Sequence, residues 1–383
     1  MSWFRCEPTT NEGCRFCLKI DKLQVKNFRN IKKLNYEPSP SLNIFVGDNA
    51  QGKTNLLESI FVLATGSSFR RANDANLVNY EASGYAINGF YNINERSMEA
   101  SLQYHLNTKK DFIINNKKSN QNHKDRLRVV LFTPDDLFLI KGSPVKRRAF
   151  LDFILKQLSG EYLFFMDNYA NILKKRNLFL KREQTTGKSF KIVNDLFIEN
   201  AIRLIIQRIN FVNILEEISR PIYLEINQAQ NELKMRYALS FAIDNDKINM
   251  DVLQIALRQH IEEHLQEERF RRKTMVGPHL DDINFYQDGR LARIYASQGQ
   301  QRNISISLKL AELYTFKRIK DCYPVFLLDE VLSELDEGKR KMLMKHLRQA
   351  DFQTFLTAVN IDKINEQDNN YIVQEGRLLR KEF

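Results

Sequence analysis

Apolar and polar residues alternate with a period of two from Leu18 through Ile20 to Leu23-Gln24-Val25. A mostly apolar run, Leu42-Asn43-Ile44-Phe45-Val46, then ends at a glycine. Period two marks a strand with one buried face, so residues 18–46 read as strands, and residues 55–64 read as a helix. Short alternating pieces return at Ala86–Ile93, Ala100–Leu106, Asp111–Asn115 and Val129–Phe132, separated by Asn and Lys clusters. That stretch reads as a β-rich subregion. From about 145 to 265 the spacing changes to three and four, as in Phe150, Phe153, Ile154 and Leu158, or Leu196, Ile198, Ala201, Ile202, Ile205 and Ile206. Only Gly160, Gly187 and Pro221 interrupt it, which predicts an insert of several helices. No heptad persists long enough for a long coiled coil. After 274, Ile283–Phe285 and Arg293–Tyr295 read as strands, Ile304–Lys317 as a helix, and Val325–Leu328, Thr354–Leu356 and Tyr371–Val373 as strands. No internal repeat is visible.

Composition narrows the class. A chain of 383 residues holds one to three domains, and 14 Gly with 8 Pro exclude collagen-like or low-complexity architectures. The apolar runs, Val325–Leu328 among them, are only a few residues long and fall far short of the ~20 residues that cross a bilayer. Nothing near the start has the apolar core of a signal peptide, so the chain reads as soluble and cytoplasmic, with no membrane partner. Cys6, Cys14 and Cys17 crowd the first residues. Cys14-Arg15-Phe16-Cys17 has the spacing of half a zinc site, but no second half follows. Residues 1–17 read as a disordered leader, or as a start assigned too far upstream. The formal net charge of +11 points to an anionic partner, nucleic acid first, although solvated basic faces are common.

Three motifs carry chemistry. Gly47-Asp48-Asn49-Ala50-Gln51-Gly52-Lys53-Thr54 fits G-x-x-x-x-G-K-[ST] without a mismatch, between an expected strand and an expected helix. Its glycines let backbone N–H groups close around phosphates, Lys53 neutralises the β- and γ-phosphates, and Thr54 offers a hydroxyl to Mg²⁺. Val325-Phe326-Leu327-Leu328-Asp329-Glu330 reads as a buried parallel strand ending in carboxylates. Asp329 would hold Mg²⁺ and Glu330 would polarise the attacking water as general base. The third motif, Ser297-Gln298-Gly299-Gln300-Gln301, opens an amphipathic helix, and such an N-terminus suits a phosphate. The plainer reading of that segment is a polar helix start. Ser333 and Asp336 follow the acid pair closely.

A P-loop, a distant S-x-G-Q-Q, an apolar strand ending in Asp-Glu and then S-x-L-D resemble the ATP-binding-cassette (ABC) ATPase head. Leu23-Gln24-Val25-Lys26-Asn27-Phe28-Arg29-Asn30 is similar to the opening of the RecF, SMC and RecN group. Three further blocks resemble the RecF family: Phe132-Thr133-Pro134-Asp135-Asp136-Leu137, Lys141-Gly142-Ser143-Pro144 with Arg147-Arg148 and Phe150-Leu151-Asp152, and Val276-Gly277-Pro278-His279 with Asp281-Asp282. The resemblance runs from residue 18 to the end. It implies an α/β fold, an ABC-type P-loop ATPase head of mixed β-sheet with flanking helices, built from 18–145 and 266–383. An inserted α-helical arm would occupy 146–265.

The resemblance also implies ATP and Mg²⁺ as cofactors, a weak DNA-stimulated ATPase, and a homodimer that forms on ATP. In that dimer Ser297 to Gln301 would act in trans as the signature, and Ser333 and Asp336 would form the D-loop. The implied role is in DNA replication, the SOS response and recombinational repair. The chain would act on single-stranded, duplex or gapped DNA near double-strand/single-strand junctions, with RecR- and RecO-like mediators. Thr357 stands where transporter ATPases carry His, which suits RecF and makes the γ-phosphate contact a hydroxyl. Leu280 stands where the family often has Arg. The alternatives are the nucleotide-binding subunit of an ABC transporter and a short SMC-like structural ATPase. Thr357 and the S-x-G-Q-Q form argue against the first, and the short insert against the second. His279, Asp281 and Asp282 fit a structural turn better than a metal cluster. Lys146-Arg147-Arg148 and Arg271-Arg272-Lys273 are candidate DNA contacts, with a solvated or intra-protein role as the alternative.

Overall fold

A computed structural model of the chain describes residues 18–119, 123–228, 230–243, 248–359 and 369–380. Cys6, Cys14 and Cys17 lie outside the described residues. The described residues fall into two compact units, one from within 18–136 and 312–380 and the other from within 137–311. The second unit contains the whole stretch 146–265 and adds 137–145 and 266–311 to it.

The first unit opens with β1 (Leu18–Phe28), β2 (Ile31–Tyr36), β3 (Leu42–Val46), α1 (Lys53–Thr65), β4 (Gly84–Ile93), β5 (Arg96–His105), β6 (Asp111–Ile114), β7 (Lys117–Lys118) and β8 (Val129–Phe132). The second holds α2 (Pro144–Leu158), α3 (Gly160–Lys181), α4 (Lys188–Ile226), β9 (Leu233–Ala238), α5 (Met250–Arg271), β10 (Asp282–Gln287), β11 (Arg290–Leu291) and α6 (Ala292–Tyr295). It also holds the start of α7 (Gln298–Lys320). The first unit resumes within α7 and adds β12 (Val325–Leu328), α8 (Glu337–Gln349), β13 (Thr354–Ala358), β14 (Asn369–Gln374) and β15 (Arg377–Arg380).

Two sheets build the first unit. One is antiparallel, in the order β2-β1-β4-β5-β6-β7. Its strands bury alternate residues, as one-sided sheets do. The other runs β15-β14-β3-β13-β12-β8 and is parallel throughout except for the edge pair β14–β15. Its strands β3, β8 and β12 are buried at every position, the signature of a parallel sheet covered on both faces. Helix α1 is buried from Leu56 to Ala64 and stops at Gly66, whose N–H closes on the Val62 carbonyl. Arg29, in the β1–β2 turn, makes a two-pronged bond to the fully buried Glu58 of α1, both N–O distances being 3.0 Å. That pair fixes the turn to the helix.

The second unit packs α3 against α4 and carries the antiparallel sheet β11-β10-β9. Two elements depart from the sequence expectation. Arg293–Tyr295 is helical, in α6, and Ile294 and Tyr295 are exposed. The chain leaves the edge of β10 after Leu291, and a segment this short takes its form from packing rather than from backbone preference. Leu233–Ala238 is a strand inside the stretch read as helical, paired with β10 at Phe285 and Met235. Its period-two signal spans only six residues and is swamped by the helical spacing around it.

The core of the second unit is unusually polar. Arg176 is fully buried and bonds Glu268 at 2.5 Å, Thr274 at 2.7 Å and Asn194 at 2.7 Å. The other Glu268 oxygen accepts from the Met275 N–H. Removing one partner of such a pair strands a buried charge, at a cost of about 3–5 kcal/mol. Arg176→Met should therefore lower the unfolding free energy by about 3 kcal/mol or more. A urea titration showing a loss under about 1 kcal/mol would mean that the pair contributes little beyond the cost of burying it.

Candidate functional site

Strand order assembles the site. In the parallel sheet β13 lies between β3 and β12, with Ala358 opposite Val46 and Leu356 opposite Leu328. The P-loop follows the end of β3 and the acid pair follows the end of β12, while Thr357 sits on the strand between them. Three distant segments thus meet at the carboxyl ends of neighbouring strands, where ligands bind in open α/β sheets.

Each P-loop glycine has a local reason. Gly47 passes so close to β14 that an added Cβ would lie 2.4 Å from the Val373 carbonyl oxygen. Gly52 caps α1 with φ of 109°, a backbone angle that residues with a side chain rarely adopt. Between them the loop leaves the α1 N-terminus free to receive an anion. Lys53 is buried, and its ammonium donates to the carbonyls of Gly47 at 2.8 Å and Asp48 at 2.9 Å. It also lies 3.4 Å from Glu330.

Asp329 is the hub of the acid side. Its Oδ1 accepts from the Thr54 hydroxyl at 2.9 Å and from the Thr357 hydroxyl at 3.0 Å. The Thr357 oxygen in turn accepts from the Glu330 N–H at 2.9 Å. One threonine therefore sets both acids. Glu330 has φ of 55°, which turns it sharply out of the strand and leaves its carboxylate half-exposed. A buried carboxylate beside a threonine hydroxyl is a hard oxygen donor pair that fits Mg²⁺. Burial pushes the Asp329 carboxyl above its ordinary range, against the two hydroxyl bonds, which lower it.

The remaining sequence candidates are spread over both units. In the second, Ser297 caps α7 by a reciprocal box. Its hydroxyl accepts from Gln300 N–H at 3.2 Å and its own N–H donates to the Gln300 side chain at 2.7 Å. Gln298 and Gly299 are exposed, while Gln301 is buried and donates to the Ala292 and Ala296 carbonyls. In the first unit, the Ser333 hydroxyl donates to the Glu330 carbonyl at 2.6 Å. Asp336 caps α8 through the Lys339 N–H at 3.0 Å, and the Lys339 ammonium 2.7 Å away, together with that N–H, holds its carboxyl below the usual range.

Among the basic candidates of the second unit, Lys146, Arg271, Arg272 and Lys273 are exposed. Arg271 and Arg272 pair with Glu267 and Glu183 at the surface. Arg147 needs a correction: it is 2% exposed and grips Asp282 with both prongs, at 2.7 and 2.8 Å, so it serves the fold and is not free for phosphate. Arg148 is half-buried and reaches the Asp281 carbonyl. Asp281 accepts from Tyr237 and from the Ser240 N–H, and His279 pairs with Tyr169 at 2.6 Å. Burial holds His279 down to about 4, hence neutral. Among the described residues no group of three His, Cys, Asp or Glu side chains is placed to hold a metal ion.

Sequence reasoning missed Asn30, Asn55 and Arg70 around the P-loop. Asn55 bonds both of the others, and the Arg70 charge is felt at Asp329. Asn30 lies inside the N-terminal block quoted above, but nothing in its spacing tied it to residue 51.

The raised Asp329 carboxyl has a consequence for stability. The folded state binds that proton more tightly than the unfolded chain, so stability falls as pH rises from the unfolded carboxyl range through the raised folded value. Asp329→Asn should therefore melt higher than the native chain at pH 7 in the absence of nucleotide, and the gap should close near pH 4. Calorimetry at the two pH values checks this. A variant that melts lower at pH 7 would show that the two hydroxyl bonds outweigh burial.

Comparison with known proteins agrees with this geometry. The family model described as RecF/RecN/SMC N terminal domain matches residues 19–378. The DNA replication and repair protein RecF of Staphylococcus epidermidis is 35% identical over 383 residues, covering 95% of this chain and 100% of that protein. The protein of the same name from Heliobacterium modesticaldum is 34% identical over 372 residues, 95% of this chain and 99% of that one. Among solved structures, the recombination mediator protein RecF with ATP superposes with a TM-score of 0.88 at 28% identity, covering 97% of this chain and all of the other. An Smc head bound to the C-terminal winged-helix domain of ScpA shares the fold, with a TM-score of 0.53 at 16% identity and coverage of 94% and 96%. Among the described residues no helix is long and apolar enough to cross a membrane. On these grounds the chain belongs to the RecF family of the RecF/RecN/SMC group.

Proposed function

We propose that the chain is an ATP-driven DNA-binding switch in DNA replication and recombinational repair, acting in the cytoplasm and in the SOS response. The observation that carries this is the meeting of Lys53, Thr54, Asp329, Glu330 and Thr357 at the ends of three adjacent parallel strands. Gly47 to Thr54 hold the phosphates, and Thr54 with Asp329 holds Mg²⁺. Lys53 leaves the loop carbonyls for the phosphate oxygens. Glu330 polarises water for slow, DNA-stimulated hydrolysis. With Asp329 committed to a cation, the Thr357 hydroxyl is free to donate to the γ-phosphate.

The head of this reading is 18–145 with 266–383, and the arm is 146–265. Ser297 and Gly299 present a helix N-terminus, with about half a positive charge and the first-turn N–H groups of Gln298 and Gly299 outside the capping box, to the nucleotide of a second copy. Two such contacts about a two-fold axis close an ATP sandwich, and the Ser333–Asp336 segment lies along the same seam. Lys146, Arg148, Arg271, Arg272 and Lys273 meet the DNA backbone, single-stranded or duplex, near gaps where RecR- and RecO-like mediators help load recombinase.

Two variants test the switch. Glu330→Gln should bind ATP, hydrolyse it at least ~10²-fold more slowly and accumulate as a dimer. Ser297→Arg should bind ATP yet stay monomeric and inactive. Sedimentation with and without ATP decides between them, and a Ser297→Arg protein that dimerises normally reduces that segment to a helix cap.

A second test concerns DNA. Log affinity should fall linearly with log salt, through counterion release. Changing Arg271, Arg272 and Lys273 to Glu should weaken all sequences alike, because phosphate contacts carry no sequence information. Sequence-selective loss, or binding indifferent to salt, would place DNA recognition elsewhere.

A further inference from the structure

Outside the phosphate cradle, a directed run of hydrogen bonds reaches the P-loop from behind. The Arg70 guanidinium donates to Asn55 Oδ1 at 3.0 Å. Asn55 Nδ2 donates to Asn30 Oδ1 at 2.8 Å. Asn30 Nδ2 then donates to the Gln51 carbonyl at 3.2 Å. Each amide receives on its oxygen and gives from its nitrogen, so the chain fixes both amide orientations and each bond polarises the next.

The β14–β15 turn completes the grip. Gly376 N–H donates to the same Gln51 carbonyl at 2.8 Å, and Glu375 N–H donates to the Gln51 side-chain oxygen at 2.8 Å. A carbonyl oxygen has two lone pairs, and Asn30 and Gly376 take both. The peptide unit is planar and trans, so pinning the Gln51 carbonyl fixes the direction of the Gly52 N–H on the opposite side. The Gln51 side chain is also engaged, with its oxygen turned to the hairpin.

We propose that Asn30 and Gln51 are positioning residues for nucleotide binding. Asn30 and the β14–β15 turn lock the Gln51–Gly52 peptide so that its N–H is aimed at a diphosphate before the nucleotide arrives. This rests on the nucleotide-binding reading of the P-loop. The brace acts on the cradle around the phosphates shared by ADP and ATP, not on the γ-phosphate or the attacking water. Its loss therefore weakens both nucleotides equally and leaves turnover at saturation unchanged.

The test is a fluorescence titration of the full chain with N-methylanthraniloyl-ADP and its ATP counterpart, with hydrolysis followed in parallel. Asn30→Ala should weaken both nucleotides by about five- to tenfold, the worth of one lost hydrogen bond with its preorganisation. Its kcat at saturating ATP should stay within about twofold of wild type. Asn55→Ala, which removes one link, should show a smaller loss of the same even kind, about two- to fivefold, and Gln51→Ala, inside the phosphate-binding loop, is read on affinity alone and should weaken ADP and ATP alike by a similar factor. Asn30→Ala binding ADP as wild type does would overturn the proposal. So would a loss confined to ATP with a collapse of kcat, which would make Asn30 a contact of the γ-phosphate itself. If Asn30→Ala fails to fold, Gln51→Ala and Asn55→Ala carry the test, and unchanged ADP affinity in both sinks it. Failure of the wild-type chain to bind either nucleotide would instead remove the nucleotide-binding reading.

Discussion

The carboxyl end of the parallel sheet in the first unit depends on one buried carboxylate. Asp329 closes a strand of wholly buried apolar residues and takes a hydroxyl from each of two neighbours, Thr54 of α1 and Thr357 of β13. Those two bonds tie the P-loop helix, the central strand and the acid strand to a single oxygen. Burial disfavours the charge they surround, as the raised carboxyl shows. A site that carries an imperfectly solvated anion has free energy to gain from a cation. Under the proposed reading, this carboxylate, whose charge burial disfavours, is the group that a divalent ion would neutralise.

Lys53 completes a matching arrangement on the cationic side. In the free protein its ammonium is satisfied by two loop carbonyls and lies near Glu330. Binding a polyphosphate means exchanging those partners for stronger, charge-assisted ones. Such an exchange would take the cation from Glu330, whose backbone N–H is held by the Thr357 hydroxyl oxygen. Under the proposed reading, occupancy of the P-loop would be felt at Glu330 through this one lysine.

The parts of this site written in short, contiguous motifs were legible in the sequence. Glycines at 47 and 52 are needed by a close carbonyl and a positive φ, and an apolar strand ending in Asp-Glu needs only its own four residues to be read. What stayed hidden is what the fold brings together across long separations. Asn30, Asn55 and Arg70 carry no pattern of their own, and the turn at Glu375-Gly376 lies 324 residues from the Gln51 oxygen it holds. The strand at 233–238 and the helix at 292–295 were hidden for another reason. Each is so short that tertiary pairing, not periodicity, decides its form.

Basic residues show most clearly where sequence reasoning meets its limit. Arg147, Arg176 and Arg208 of the second unit are buried and paired with Asp282, Glu268 and Asp152. Read as a run, Lys146-Arg147-Arg148 suggests a phosphate contact, yet its middle member is a structural rivet. The burial of these arginines does not alter the net charge of the chain. Every buried pair removes one charge of each sign, so these three leave the excess of +11 untouched for the rest of the chain. Internal arginines consume acids that would otherwise neutralise the surface. A polar core of this kind therefore does not dilute a basic exterior, and the attraction to a polyanion is carried by the side chains that the core has left outside.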